Sequence, residues 1–250
     1  RWSHRIFIST NIKGLFRKSC NYFSIMKTVI ITGTGAGIGF ELARIFSEKN
    51  YKVISLSRSS NVVELGLENI NHMSFNITND DDHLELVNYC KKNKIEIDFL
   101  INNAGLLINK TFDEITVNDF KKIYDVNLFG VVNLIKNLFG FFSSTAHIIN
   151  ISSIGGLIGS SKFKGLSAYS SSKGALNILT EVLAEEYKDS ELSFNSLCLG
   201  SVQTKMLEKA FPGYQAEVSP FEMAKYIYNF SVNGKKLFNG KVIPISKSNP

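Results

Sequence analysis

The stretch that most constrains this chain is Thr32-Gly33-Thr34-Gly35-Ala36-Gly37-Ile38-Gly39, because it joins a strand-like run to a helix-like one. Thr28 to Ile31 is short and β-branched, and Phe40 to Asn50 spaces Leu42, Ile45 and Phe46 at helical intervals. The segment therefore reads strand, glycine turn, helix. Glycines permit positive φ and close approach of backbone N–H groups, and a helix N-terminus favours negative charge, so the turn is a candidate phosphate cradle. The spacing is T-G-x-x-x-G-x-G. The strict G-x-G-x-x-G pattern fails because positions 38 and 40 are Ile and Phe, and the Gly-Lys-Ser/Thr of a Walker loop is missing.

The rest of the chain alternates short apolar strands with longer periodic helices. Strands are expected at 52–56, 72–75, 98–101, 145–151, 192–199 and 241–245. Helices are expected at 80–92, 117–139, 167–188 and 220–231. This alternation predicts an α/β, Rossmann-like, doubly wound fold: a mainly parallel seven-stranded sheet with helices on both faces and a ligand at the carboxyl ends of the strands.

Charge and cysteine usage narrow the function. Five of the six net positive charges lie in residues 1–26, which contain Arg1, Arg5, Lys13, Arg17 and Lys18 and no acid. The remainder is nearly neutral and offers no footprint for nucleic acid. Residues 1–26 read as an extension outside the fold, disordered or foreign to the native protein, with an organelle transit peptide as the alternative; residues 27–250 read as one NAD(P)-binding domain. No apolar run is long enough for a transmembrane helix. Cys20, Cys90 and Cys198 form no C-x-x-C, so neither a disulfide framework nor a metal site is expected, and a cytoplasmic, reducing location fits.

Tyr169-Ser-Ser-Ser-Lys173 is the pair that carries chemistry. A separation of four places both side chains on one helix face, and a neighbouring ammonium favours the phenolate of a group whose ordinary pKa is near 10. A tyrosine so placed is a candidate acid or base.

Five elements in register make the chain resemble a classical short-chain dehydrogenase/reductase. They are the glycine turn, Asn102-Asn103-Ala104-Gly105, Asn127 within Val-Asn-Leu-Phe-Gly, Ile149-Asn150-Ile151-Ser152-Ser153, and Tyr169-x-x-x-Lys173. The resemblance implies a catalytic set of Asn127, Ser153, Tyr169 and Lys173. In this set Tyr169 exchanges a proton with the substrate oxygen, Ser153 holds that oxygen, Lys173 binds the nicotinamide ribose and lowers the tyrosine pKa, and Asn127 holds a relay water. It also implies cofactor contacts from Thr32, Gly33, Gly35, Gly37, Ile38 and Gly39 in the turn. Further contacts come from Asn76, Ile77, Asn103, Ala104, Gly105, Gly200, Val202 and Thr204, with Tyr169 and Lys173.

Cofactor choice turns on the end of the second strand, where Ser57-Arg58 stands and no acid occurs before Glu64. A guanidinium suits a ribose 2′-phosphate, which favours NADP(H), with NAD(H) the alternative. Two departures from the family are Asn76, where an aspartate is usual, and Leu199-Gly200, where Pro-Gly is usual. The interval from Ser153 to Tyr169 is 16 positions, about three longer than the family's, with the extra length in 160–165. Apolar residues at 106, 107, 154, 157 and 163, with the short segment 205–219 as a modest lid, suggest a mainly apolar pocket for a ketone, aldehyde or the corresponding alcohol, with no charged cluster pointing to a phosphorylated or CoA-linked substrate. The resemblance further implies a homodimer or homotetramer. A catalytically inactive NAD(P)-binding sensor is the alternative function, and an extended-type epimerase or dehydratase is disfavoured by the glycine spacing.

Overall fold

A computed structural model describes residues 26–247, so the expectation for residues 1–25 lies outside the described residues. Seven strands form one sheet in the order β3-β2-β1-β4-β5-β6-β7, with every neighbouring pair parallel. They are β1 (Thr28–Thr32), β2 (Lys52–Ser57), β3 (Ile70–Ser74), β4 (Ile97–Asn102), β5 (Phe142–Ser153), β6 (Ser193–Leu199) and β7 (Lys241–Ile245). The helices are α1 (Gly37–Glu48), α2 (Asp80–Lys92), α3 (Val117–Tyr124), α4 (Gly130–Leu138), α5 (Ser167–Glu186), α6 (Lys205–Ala210) and α7 (Pro220–Asn233).

Strand alternation sorts the core into two layers. Ile30, Ile54, Leu100 and Ile148 face one side, where Leu86, Leu134 and Leu176 from α2, α4 and α5 cover them. Val29, Ile31, Val53 and Ile101 face the other, against Leu42 and Phe46 of α1 and Ala224 and Ile227 of α7. Because both faces are buried, the strands read as nearly continuous apolar runs. The order reverses between β1 and β4, which is the topological switch point where such sheets bind ligands.

The single long helix expected over 117–139 is interrupted. Asp125–Phe129 forms a wider π-helical turn between α3 and α4, and Asn127 sits in it with its side chain fully buried. Such turns occur where a side chain must be re-aimed. Here the Asn127 carbonyl oxygen accepts from the Leu106 N–H at 2.7 Å, and its amide donates to the Leu106 carbonyl and to Ser172 Oγ, both at 3.0 Å.

A buried histidine makes the fold acid-sensitive. His147 on β5 is fully buried, with Nδ1 2.9 Å from the Ser231 carbonyl and Nε2 3.0 Å from the Asn195 amide. A neutral ring that donates from Nδ1 and accepts at Nε2 satisfies both contacts. Burial, first, and nearby Lys235 lower its pKa to about 4, against the hydrogen bond to Ser231. Between pH 6.5 and 4 the unfolded chain therefore binds a proton that the folded chain refuses, and stability falls as pH falls. Urea unfolding is expected to show about 2 kcal/mol of this loss between pH 7 and pH 5, absent from His147→Gln. Parallel profiles for the two proteins would refute it.

Candidate active site

The carboxyl ends of β1, β2, β4, β5 and β6 open onto a cleft of about 1020 Å³. It is lined by Arg58, Asn76 and Ile77, by Ser153, Tyr169 and Lys173, and by Phe163, Phe211 and Tyr214. Thr32, Gly33, Gly35, Gly37 and Ile38 form its floor. Asn103, Ala104 and Gly105 lie beside them, and Gly200, Val202 and Thr204 stand across from them.

The floor is shaped by close backbone packing. The side chain of Thr32 accepts at Oγ1 from the N–H groups of Asn103 and Ala104, at 3.0 and 2.9 Å, which locks β1 to the loop after β4. A Cβ on Gly39 would stand 2.3 Å from the Gly33 carbonyl oxygen and 2.6 Å from the Asn103 amide, so this glycine lets α1 sit directly on the turn. Gly39 is buried beneath the cleft and does not line it. Gly37 has φ of +60°, a conformation that favours glycine, and opens α1 at the cleft. This cradle, with a helix N-terminus pointed at it, fits the diphosphate of a dinucleotide.

Ser153 ends β5, and Tyr169 and Lys173 lie one turn apart on α5. The two adjacent serines differ in direction. Ser152 is buried and donates through Oγ to the Lys173 carbonyl at 3.2 Å, whereas Ser153 Oγ accepts from the Gly155 N–H at 3.2 Å and lines the cleft with Tyr169. Lys173 is buried, with Nζ 2.8 Å from the Ile151 carbonyl and 5.8 Å from the centre of the Tyr169 ring. Burial lowers its pKa to about 8.

The tyrosine differs from the expectation drawn from its neighbour. Burial pushes the Tyr169 hydroxyl up to about 12, and the hydrogen bond with Ser153 pulls the other way. Removal of the phenol from water thus outweighs a lysine that is itself desolvated. The protein alone favours the protonated phenol, which is the form that donates a proton.

Asn127 does not reach the cleft surface. Both ends of its amide are spent on the Leu106 backbone, and its oxygen and Lys173 Nζ flank Gly105, where a Cβ would stand 3.5 and 3.7 Å from them. Asn76 bonds locally: its Oδ1 accepts from the N–H and hydroxyl of Thr78, and its own N–H donates to Asp82 Oδ2. Arg58 is exposed at the rim. The Gly200 N–H donates to the Ile245 carbonyl at 2.9 Å, which holds the turn after β6 without a proline.

The sequence missed α6, whose six residues are too few for a periodic signal; Thr204 caps it by accepting from the Leu207 N–H. It also missed the 3-10 turn Asn61–Leu65, through which Asn61 donates to the Gly35 carbonyl at 3.0 Å and braces the glycine turn.

Fold and cleft together define a dinucleotide-binding α/β protein with a serine, tyrosine and lysine at its centre. Residues 27–215 match the short chain dehydrogenase family. An uncharacterized oxidoreductase of Bacillus subtilis, YxjF, is 30% identical over 190 residues, which cover 72% of this chain and 73% of that one. The ligand-free aldohexose dehydrogenase of Thermoplasma acidophilum superposes with a TM-score of 0.77 at 27% identity, covering 88% of this chain and 92% of that one. A 3-ketoacyl-(acyl-carrier-protein) reductase of Brucella melitensis, solved with NADH, has a TM-score of 0.78 at 21% identity, with 88% and 96% covered; this likeness concerns the fold alone. The chain belongs to the short-chain dehydrogenase/reductase family and is an oxidoreductase acting on CH–OH groups. Among the described residues no helix is long and apolar enough to cross a membrane.

Proposed function

We propose that the protein is an NADP(H)-dependent oxidoreductase that interconverts an uncharged ketone or aldehyde and its alcohol, with Tyr169 as the acid and base. This reading rests on Ser153, Tyr169 and Lys173 lining the same cleft as the glycine cradle and the apolar residues Phe163, Phe211 and Tyr214. The nicotinamide, when bound, supplies or accepts the hydride.

Tyr169 gives its phenolic proton to the carbonyl oxygen in reduction and takes it from the alcohol in oxidation. Ser153, whose hydroxyl works to lower the Tyr169 pKa, holds that oxygen beside the phenol. Lys173 has three N–H donors, one of which bonds the Ile151 carbonyl; the others would reach ribose hydroxyls and favour the phenolate as it forms. Asn127 acts at one remove, fixing Gly105 and Leu106 beside Lys173.

Support for NADP(H) comes from the rim after β2. Arg58 lines the cleft there, and the run from Ser57 to Val63 contains no carboxylate. An exposed guanidinium that pairs with a phosphate contributes a charge-assisted hydrogen bond. Arg58→Ala is therefore expected to raise the Kd of NADPH about tenfold while leaving that of NADH within about twofold, read by nucleotide fluorescence. An equal change for both nucleotides would remove the basis for preferring NADP(H). The activity itself is tested by following NADPH and NADH oxidation in parallel across a panel of uncharged carbonyl compounds.

A further inference from the structure

The interval between Ser153 and Tyr169 carries a loop built from its own polar contacts. Ser160, buried, donates through Oγ to the Ile154 carbonyl at 2.6 Å. Lys162 Nζ then turns inward to the Leu157 carbonyl at 2.5 Å, the Ser160 carbonyl at 3.1 Å and Ser160 Oγ at 2.5 Å. Its three donors are thereby spent inside the loop. Further on, Gly165 takes a φ of +85°, and its carbonyl accepts from the Lys110 N–H at 3.1 Å. A Cβ on Gly165 would stand 1.8 Å from Asn109 Oδ1, so the loop is seated tightly on the segment after β4. Asn109 in turn donates to the Ala210 carbonyl at 2.7 Å, at the end of α6.

Between these two anchors stands Phe163. It lines the cleft, and half of its surface remains exposed. The same cleft is lined by Leu107, Leu166, Phe211 and Tyr214. Lys162, beside the ring, is held by its own loop, and Lys205 lines the cleft at the start of α6. An aromatic ring in a fixed loop with apolar neighbours selects by shape and disfavours a charged group against its face.

We propose that Phe163 is a specificity-determining residue of this site and that the end it walls takes a flat, uncharged aromatic or alicyclic carbonyl compound or alcohol. This rests on the assignment of the cleft as an oxidoreductase site. The ring stacks on or abuts the substrate, and the polar knot of Ser160 and Lys162 holds it there against the mouth of the cleft.

The test uses 4-nitrobenzaldehyde and 4-carboxybenzaldehyde, close in shape and different in charge, with butanal as a small aliphatic reference. The wild-type protein with NADPH is expected to favour the nitro compound over the carboxylate at least tenfold in kcat/KM. Phe163→Ala is expected to lower kcat/KM for 4-nitrobenzaldehyde about tenfold, equivalent to about 1.4 kcal/mol, and that for butanal less than twofold, with the Kd of NADPH unchanged. Equal losses for both aldehydes, or no loss, would overturn the role of Phe163, and equal rates with the nitro and carboxylate compounds would overturn the substrate class. A second readout needs no turnover: saturation-transfer NMR of 4-nitrobenzyl alcohol on the protein with NADPH bound. Contact that weakens in Phe163→Ala supports the inference even where the carbonyl panel shows no reduction. Absence of contact in the wild-type protein, with NADPH bound, overturns it.

Discussion

Tyr169→Phe is expected to lower kcat/KM for carbonyl reduction by about 10³-fold, within the range of a lost general acid, while the Kd of NADPH moves less than about twofold. The substitution removes one oxygen from a ring that packs on α5 beside Ser153 and Lys173, so the cleft keeps its shape. What is lost is the proton source. Desolvation has already raised the hydroxyl to about 12, so the wild-type residue carries its proton throughout the neutral range and delivers it as charge develops on the substrate oxygen. Stopped-flow or steady-state absorbance at the nicotinamide band reads the rate, and nucleotide fluorescence reads binding. A variant that retained activity would move the proton transfer to another group.

The second large effect is structural and falls on Gly39. Gly39→Ala is expected to cost about 3 kcal/mol in stability, the upper part of the range for overpacking, and to weaken NADPH binding at least tenfold. The added methyl would sit 2.3 Å from the Gly33 carbonyl and 2.6 Å from the Asn103 amide, and neither neighbour can yield freely. Gly33 belongs to the turn itself, and Asn103 is fixed by bonds from its amide to the Thr32 and Gly33 carbonyls at 3.0 and 3.3 Å. Relief therefore requires α1 to lift from the turn, which moves its N-terminus away from the cradle. Thermal unfolding would show a midpoint lower by roughly 6–12 °C, and fluorescence titration the weaker binding. A variant with wild-type midpoint and affinity would show that the helix has slack at this contact.

The sheet was legible because its strands are β-branched, short and separated by helices with clean periodicity. The final strand and α2 fall where the pattern put them, since Lys241–Ile245 and Asp80–Lys92 are bounded by abrupt changes in character. Asn79 even announces α2 as an N-cap, accepting from the Asp81 and Asp82 N–H groups. The interruption at Asn127 was not legible. Its neighbours continue the apolar stripe of 117–139 across the π-helical turn, and only the tertiary partner, the Leu106 backbone, shows why the helix widens there.

At the site, the pairing of Tyr169 with Lys173 was legible from helical spacing and Ser153 from the family resemblance, but the titration of Tyr169 was not. A pair spacing shows that an ammonium is near; it does not show how far both groups have been taken out of water. The burial of Lys173, and with it a pKa lowered to about 8, is a property of how α5 packs on β5 and β6. The extra residues before Tyr169 were visible as a length difference. That Lys162 folds them into a self-bonded loop was not, because a lysine in such a segment reads as solvated until its partners are seen.

Hydride transfer between NADPH and an uncharged carbonyl in this cleft, with Tyr169 as the proton donor, is proposed here, and NADPH oxidation across ketones and aldehydes by the wild-type protein and Tyr169→Phe side by side tests it. Turnover of at least one uncharged carbonyl compound by the wild-type protein, with its alcohol as product, is expected, with a loss of about 10³-fold in the variant. NADPH that binds to the wild-type protein but is oxidised by none of the panel would contradict it.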